Sequence, residues 1–205
     1  MPNLSIQLLQ ALKPWRNAKA WHVALSGGLD STVLLHLLIQ LRQTHSLPPI
    51  SAVHVHHGLQ AAADAWPVHC QALCDELNVP LQVIRVQVQP GASLERAARD
   101  ARYQAFVACT HADEMMLTGQ HRDDQAETVL FRLLRGTGVS GLAGMPRQRR
   151  LGQGSLGRPL LDVSRAELEA YAHDNRLTWI EDPSNCQTNF SRNYLRHEVL
   201  PVIER

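Results

Sequence analysis

WHVALSGGLDSTVLLHLL, residues 21–38, runs from one apolar stretch into another across a break of small and hydroxylated residues. The first stretch suits a buried strand and the second a helix, with Ser26-Gly27-Gly28 as the turn between them. A strand-to-helix loop exposes backbone N–H groups at the positive end of a helix dipole, an arrangement that favours phosphate. Gly27 and Gly28 permit close backbone approach, while Ser26, Ser31 and Thr32 add hydroxyl groups. The string is neither a GxxxxGK[ST] loop nor a GxGxxG fingerprint. With no lysine for a γ-phosphate, the charge of a triphosphate would fall to amides, magnesium and remote arginines, and Asp30 is the candidate magnesium ligand. On these residues alone an ordinary turn, with Asp30 an acid in the first turn of the helix, accounts for the string equally well.

Outward from this loop the apolar pattern alternates. Strands are predicted at residues 21–25, 50–56, 81–88 and 114–119, and helices at 30–44, 61–78, 93–111 and 122–135. That order predicts an α/β fold, a doubly wound, mostly parallel sheet with helices on both faces and ligands at the carboxyl ends of the strands. Ser93, followed by Glu95, reads as the N-cap of the third helix. Residues 136–144, GTGVSGLAG, read as loop or tight turns and set the expected end of a first domain, 1–145. Residues 146–205 are then a basic loop and a small helical extension, with helices at 164–175 and 191–203 separated by a turn at Pro183-Ser184-Asn185.

The chain of 205 residues is 44% apolar and carries 20 basic against 19 acidic side chains, a net charge of +1. It is long enough to bury a real core, and its balance excludes general disorder and a globally basic nucleic-acid binder. Cys70, Cys74, Cys109 and Cys186 form no CxxC pair and no signal peptide is read before them, so reduced, buried thiols in a cytoplasmic protein are expected. Residues 32–41, interrupted by His36 and Gln40, fall short of the roughly 20 residues that span a bilayer, so no membrane partner is expected. Local charge is uneven. No Asp or Glu occurs between Glu127 and Asp162, whereas Arg132, Arg135, Arg147, Arg149, Arg150 and Arg158 do. Such a segment suits RNA phosphates, or is a solvated basic loop.

A second constellation follows the fourth strand. HRDDQAET, residues 121–128, opens a helix at the same carboxyl edge as the glycine loop. Asp124 and Glu127, three apart, share a helical face, where they suit magnesium, the cationic groups of an amine, or simple pairing with the helix dipole. His121 reads as a proton carrier or as a satisfied loop histidine. His54, His56 and His57 end the second strand. Lacking a cysteine or further histidine at ligand spacing, they read as nucleotide-pocket or structural residues rather than zinc ligands.

SGGLDS (residues 26–31) resembles the SGGxDS loop of the N-type ATP pyrophosphatases, the PP-loop superfamily, which cleave ATP between the α- and β-phosphates. HVHHGL (54–59), HRDDQAET (121–128), RLLRGTG (132–138), GLAGM (141–145), RPLL (158–161), EDPSN (181–185) and SRNYLR (191–196) narrow the resemblance to the tRNA(Ile)-lysidine synthase family. These ordered motifs cover nearly the whole chain. Gln120 departs from the pattern, since many relatives carry a histidine before the one matching His121.

The resemblance implies an adenine nucleotide alpha-hydrolase-like fold and a two-step ligation that uses ATP and Mg2+. The wobble cytidine of a tRNA(Ile) with a CAU anticodon attacks the α-phosphate through its C2 oxygen, releasing pyrophosphate; the side-chain amine of free lysine then displaces AMP at C2. The product, lysidine, changes codon reading from AUG to AUA. Ser26, Gly27, Gly28, Leu29, Asp30, Ser31, Thr32 and His54 would hold the nucleotide, with Asp30 also the metal ligand. Asp30, Arg99, Asp124 and Glu127 are the catalytic candidates, Arg99 as the family's catalytic arginine with Arg96 and Arg102 as neighbours that compete for the assignment. Asp124, Glu127, His121, Arg135, Arg158 and Arg192 are the substrate-binding candidates, the two acids facing lysine. Family members carry further C-terminal domains that grip the tRNA, expected to be absent from this chain, and a homodimer is left open. The alternatives are another PP-loop tRNA-modifying enzyme, which for thiolation would want paired catalytic cysteines, and a nucleotide-binding regulator.

Overall fold

The structure, a computed structural model, describes residues 4–58, 64–88, 94–182 and 191–203. Its centre is a six-stranded sheet of β1 (Trp21–Ala24), β2 (Ile50–His56), β3 (Leu81–Arg85), β4 (Met115–Leu117), β5 (Gln148–Leu151) and β6 (Gly154–Gly157), in the order β3-β2-β1-β4-β6-β5. All neighbours are parallel except β5, which runs antiparallel to β6. The strand order reverses between β1 and β4, so their carboxyl ends flank a crevice, the usual ligand position in such sheets. The SGGLDS loop leaves one of these strands and the HRDDQAET loop the other.

The helices are α1 (Leu4–Leu12), α2 (Leu29–Thr44), α3 (Trp66–Glu76), α4 (Leu94–Cys109), α5 (Arg122–Leu134), α6 (Val139–Leu142), α7 (Arg165–Asp174), α8 (Ser191–Tyr194) and α9 (Leu200–Ile203), with a π-helical segment at Leu195–Val199. Helix α2 is apolar on nearly every side, as its sequence requires of a helix enclosed by protein. It packs against β1, α1 and α7, and Val33, Leu34, Leu35, Leu37 and Leu38 are fully buried there. A smaller cluster of Val53, Phe106, Met116, Leu151 and Leu156 is half-enclosed by Tyr103 and Ile84. His121 caps α5 and Ser164 caps α7, each in a reciprocal box with the acid three residues on. The Arg165 N–H donates to Asp123 at 3.0 Å, which binds the start of α7 to the start of α5.

The alternation of the first 135 residues appears as predicted in type and order, with shorter strands at β3 and β4. Three features depart from it. Helix α1 precedes the first strand. Residues 136–144 contain a short helix, α6, within their turns. The stretch expected to be a basic loop from 146 onward contains β5 and β6, and β6 pairs with β4 in the main sheet. Hydrogen bonding thus carries the main sheet past residue 145. The Ser93 cap, the turn at residues 183–185 and Cys186 lie outside the described residues.

Candidate active site

A cavity of about 350 Å³ opens at the crevice between β1 and β4, lined by both loops and by residues of β2 and α4. The first loop is held by its own hydroxyls. The Ser26 N–H donates to Ser31 Oγ at 3.1 Å, Ser31 Oγ donates to Gly28 O at 3.1 Å, and the Gly28 N–H donates to Ser26 Oγ at 3.2 Å. Thr32, fully buried, donates to Gly27 O at 3.4 Å and thus shapes the loop rather than facing the cavity. Leu29 is likewise buried, an anchor of α2 in the core. Gly27 has φ +87°, and a Cβ there would lie 2.7 Å from Ile180 Cδ1. The positive φ favours glycine at this turn, and a larger residue would also displace the Ile180 side chain.

The two loops touch main chain to main chain. A Cβ on Gly119 would stand 3.0 Å from the Asp30 carbonyl carbon and 3.1 Å from both its oxygen and the Ser31 nitrogen. This contact fixes Asp30 against the loop that carries Gln120 and His121. His121 is 1% exposed, and its Nδ1 accepts from the Asp123 N–H at 3.2 Å. Its Nε2 faces Asp30 Oδ1 at 3.7 Å and Asp124 Oδ2 at 3.5 Å. His121 is therefore a buried cap and bridge between the two acids, and Asp30, Asp124 and Gln120 are the groups that line the cavity.

Asp30 Oδ1 is buried without a hydrogen-bond partner. Burial holds its carboxyl above the usual range; Asp124 pushes the same way, while His121, Arg165 and Arg196 oppose. An orphaned carboxylate oxygen beside a second acid fits a hard divalent cation such as magnesium. The raised pKa also fixes a stability prediction. Ionised Asp30 opposes folding; the penalty is absent below the unfolded carboxylate value, 3.8, and fully present above the folded one. Asp30→Asn is expected to raise the melting temperature by a few degrees at neutral pH in metal-free buffer, an advantage that vanishes in acid, as thermal unfolding across pH would record.

His54 Nδ1 donates to Leu25 O at 2.8 Å, leaving Nε2 as a buried lone pair without a partner at the cavity wall. Burial lowers its pKa, so the ring is a neutral acceptor suited to a nucleotide N–H or O–H. His56 instead pairs with Asp64 at 3.1 Å, and His57 lines the cavity beside Trp66. Behind the glycine loop, burial pushes the Cys70 thiol up to about 12 and Cys74 to about 11, which leaves both unreactive. Of the three arginines on α4, Arg99 and Arg102 line the cavity, whereas Arg96 faces Asp100 at 3.8 Å on the surface.

Glu127 differs from its expected role. It is 1% exposed and accepts from Arg196 Nε at 2.6 Å, while Arg196 Nη2 lies 3.5 Å from Asp124 Oδ1. Burial alone would lower the Arg196 pKa; the Glu127 hydrogen bond and the charges of Glu127, Asp124 and Asp30 outweigh it and raise it. Asp124 reaches the cavity, and Glu127 stands behind it holding Arg196. Arg158 also departs from the surface role expected of it, since it is 3% exposed. Arg135 lies 5.2 Å over the Phe131 ring, away from the cavity, and the side chain of Arg192 lies outside the described residues. Arg196 and Met145, missed as site residues, end the SRNYLR and GLAGM motifs and could have been found from them; Tyr103 at the cavity wall carried no signal.

The PP-loop domain family matches residues 1–203. The chain is similar to the tRNA(Ile)-lysidine synthases of Pseudomonas fluorescens, 71% identical over 98% of this chain and 46% of that protein, and Pseudomonas putida, 66% identical over 95% and 45%. It thus spans about half the length of the curated relatives it matches. Among solved structures, the U34-tRNA thiolase NcsA from Methanococcus maripaludis superposes with a TM-score of 0.71 at 17% identity, covering 96% of this chain and 73% of that one. The NMN synthetase of Francisella tularensis does so with a TM-score of 0.53 at 14% identity, covering 86% and 72%. At these identities the two structures speak for the fold alone.

Proposed function

The chain belongs to the PP-loop domain family, and from that premise we propose that it carries the ATP-splitting centre of an enzyme that ligates lysine to C2 of the wobble cytidine in a tRNA(Ile) with a CAU anticodon. The observation that carries the reading is the main-chain contact of Gly119 with Asp30 and Ser31, which builds one cavity from SGGLDS and HRDDQAET. The identity of 62–71% with tRNA(Ile)-lysidine synthases along nearly the whole chain supports the substrate assignment.

The residues divide the labour. The Gly27 amide and the Ser26 hydroxyl would receive the departing pyrophosphate, and the Gly28 N–H would join them by exchanging its bond to Ser26 Oγ for one to the anion. Magnesium, held by Asp30, would supply further charge neutralisation on the phosphates. Arg99 and Arg102 reach the cavity from α4, and Arg102 suits the α-phosphate. His54 would accept a hydrogen bond from the nucleoside. Asp124, already beside the Arg196 guanidinium, suits the cationic amine of lysine, and Glu127 would act through Arg196 by orienting it. Raised, buried cysteine thiols disfavour thiolation. The tRNA reading supports a cytoplasmic location; among the described residues no helix is long and apolar enough to cross a membrane.

The test supplies ATP, magnesium, labelled lysine and tRNA(Ile) with a CAU anticodon, and follows label on the RNA together with pyrophosphate and AMP. Equal amounts of the three are expected. Pyrophosphate release without lysine transfer, or transfer of other amino acids at the same rate, overturns the reading.

A further inference from the structure

A group of arginines is gathered on one tyrosine that the proposed reaction does not use. Arg99 Nη2 donates to the Tyr103 hydroxyl at 3.3 Å, and the Arg158 charge acts on the same hydroxyl. The guanidinium carbons of Arg99 and Arg149 lie 4.8 and 4.5 Å from the Tyr103 ring centroid, within cation–π range. Arg158 donates from Nη1 to Pro146 O at 2.7 Å, but its Nε is buried without an acceptor. Among the described residues none of Arg99, Arg149 and Arg158 is ion-paired with a carboxylate.

Three cations converging on a neutral acceptor, one of them desolvated, repel one another unless an anion joins them. The titration tendencies agree. Burial lowers the Arg158 pKa, and Arg149 and Arg99 lower it further against the pull of Tyr103. Burial would raise the Tyr103 hydroxyl, yet Arg99, Arg149, Arg158 and Arg102 together bring it below its usual value.

Position identifies the anion. Arg99 and Tyr103 line the reaction cavity, whereas Arg149 stands exposed on β5, in an open depression shared with Gln148, Arg150 and Gln153. The cluster therefore joins the cavity to the basic hairpin. The phosphates of the nucleotide have the amides of the glycine loop, while an RNA strand crossing the hairpin carries a phosphate beside each base it delivers.

We propose that Arg99, Arg149 and Tyr103, backed by Arg158, form a second phosphate site that grips the RNA phosphodiester next to the nucleotide presented to the cavity. The site rests on the RNA reading above but not on lysine as the second substrate. Arg149 and Arg99 touch the phosphate; Tyr103 and Arg158 are positioning residues that hold the guanidinium planes.

The test titrates the 205-residue chain into a fluorescent stem-loop RNA with a CAU loop at several salt concentrations, with ATP affinity measured in parallel. Arg149→Ala is expected to weaken RNA binding about 5-fold and to reduce the salt slope by about 0.7, the value of one lost single-strand phosphate contact. ATP affinity should not change. Tyr103→Phe keeps the ring but removes the acceptor, and should reduce RNA affinity in the same salt-dependent way. Arg149→Lys should restore the slope but only part of the affinity, since a point charge replaces a planar fork. Undetectable RNA binding by the unaltered chain, unchanged RNA affinity in Arg149→Ala, or a loss of ATP affinity in its place overturns the proposal. No lysine is present, so failure of the ligation reading leaves this result intact.

Discussion

Gly119→Ala is expected to slow ATP cleavage on the order of 100-fold, the penalty typical of a small displacement of reacting groups. A new methyl at residue 119 meets main-chain atoms of Asp30 and Ser31 at 3.0–3.1 Å, not a flexible side-chain end. Relief requires one loop to move away from the other. Either motion shifts Asp30 relative to Gln120 and Asp124 across the cavity, and the hydroxyl-bonded turn at Ser26–Ser31 moves with it. The core beneath is untouched, so the melting temperature should stay within a few degrees of the parent. Pyrophosphate release at saturating ATP checks the first part and thermal unfolding the second. A variant with full turnover would show that the loops work independently.

Arg196→Ala is expected to cost about 3–5 kcal/mol of stability, as breaking a buried ion pair from one side does. The Glu127 side chain is 2% exposed, whereas Arg196 keeps 30%, so the loss strands the more deeply buried partner. For a chain of this length that corresponds to a melting temperature lower by roughly 10 °C. The control lies in the pair itself. Glu127→Gln in the Arg196→Ala background removes the stranded charge and should recover much of the loss, so the double variant should be more stable than Arg196→Ala alone. Additive losses would place the cost in packing rather than charge.

The succession of the first four strands along the chain was legible because each is an apolar run followed by a helical period, and SGGLDS marked where β1 ends. The hairpin was not. β5 reads QRRL and β6 reads GSLG, short stretches with arginine and glycine where β-branched residues would have signalled strand, and only Leu151 and Leu156 bury apolar side chains there. Helix α1 could have been read, since Leu4, Leu8 and Leu12 repeat at helical spacing and are the residues it buries. In the site, Asp30, His54, Arg99 and Asp124 line one cavity. The pairing of Glu127 with Arg196 and the approach of Arg149 and Arg158 to Tyr103 join residues far apart in the chain, and no local spacing encodes them.

The placement of β1 between β2 and β4 also sets a timetable. Trp21 pairs with Ile50 early in the chain but with Met115 only after most of the sheet's connections have been made. A chain emerging during synthesis carries SGGLDS long before the strand that will stand beside it, and Gly119 arrives later still to back Asp30. Pairing between such distant parallel strands is slow, because the closure entropy of the intervening chain is lost before the contact is gained. The capacity to hold ATP is thus a property of the finished seam, which makes the nucleotide a ligand of the native sheet alone and, by mass action, one of its stabilisers.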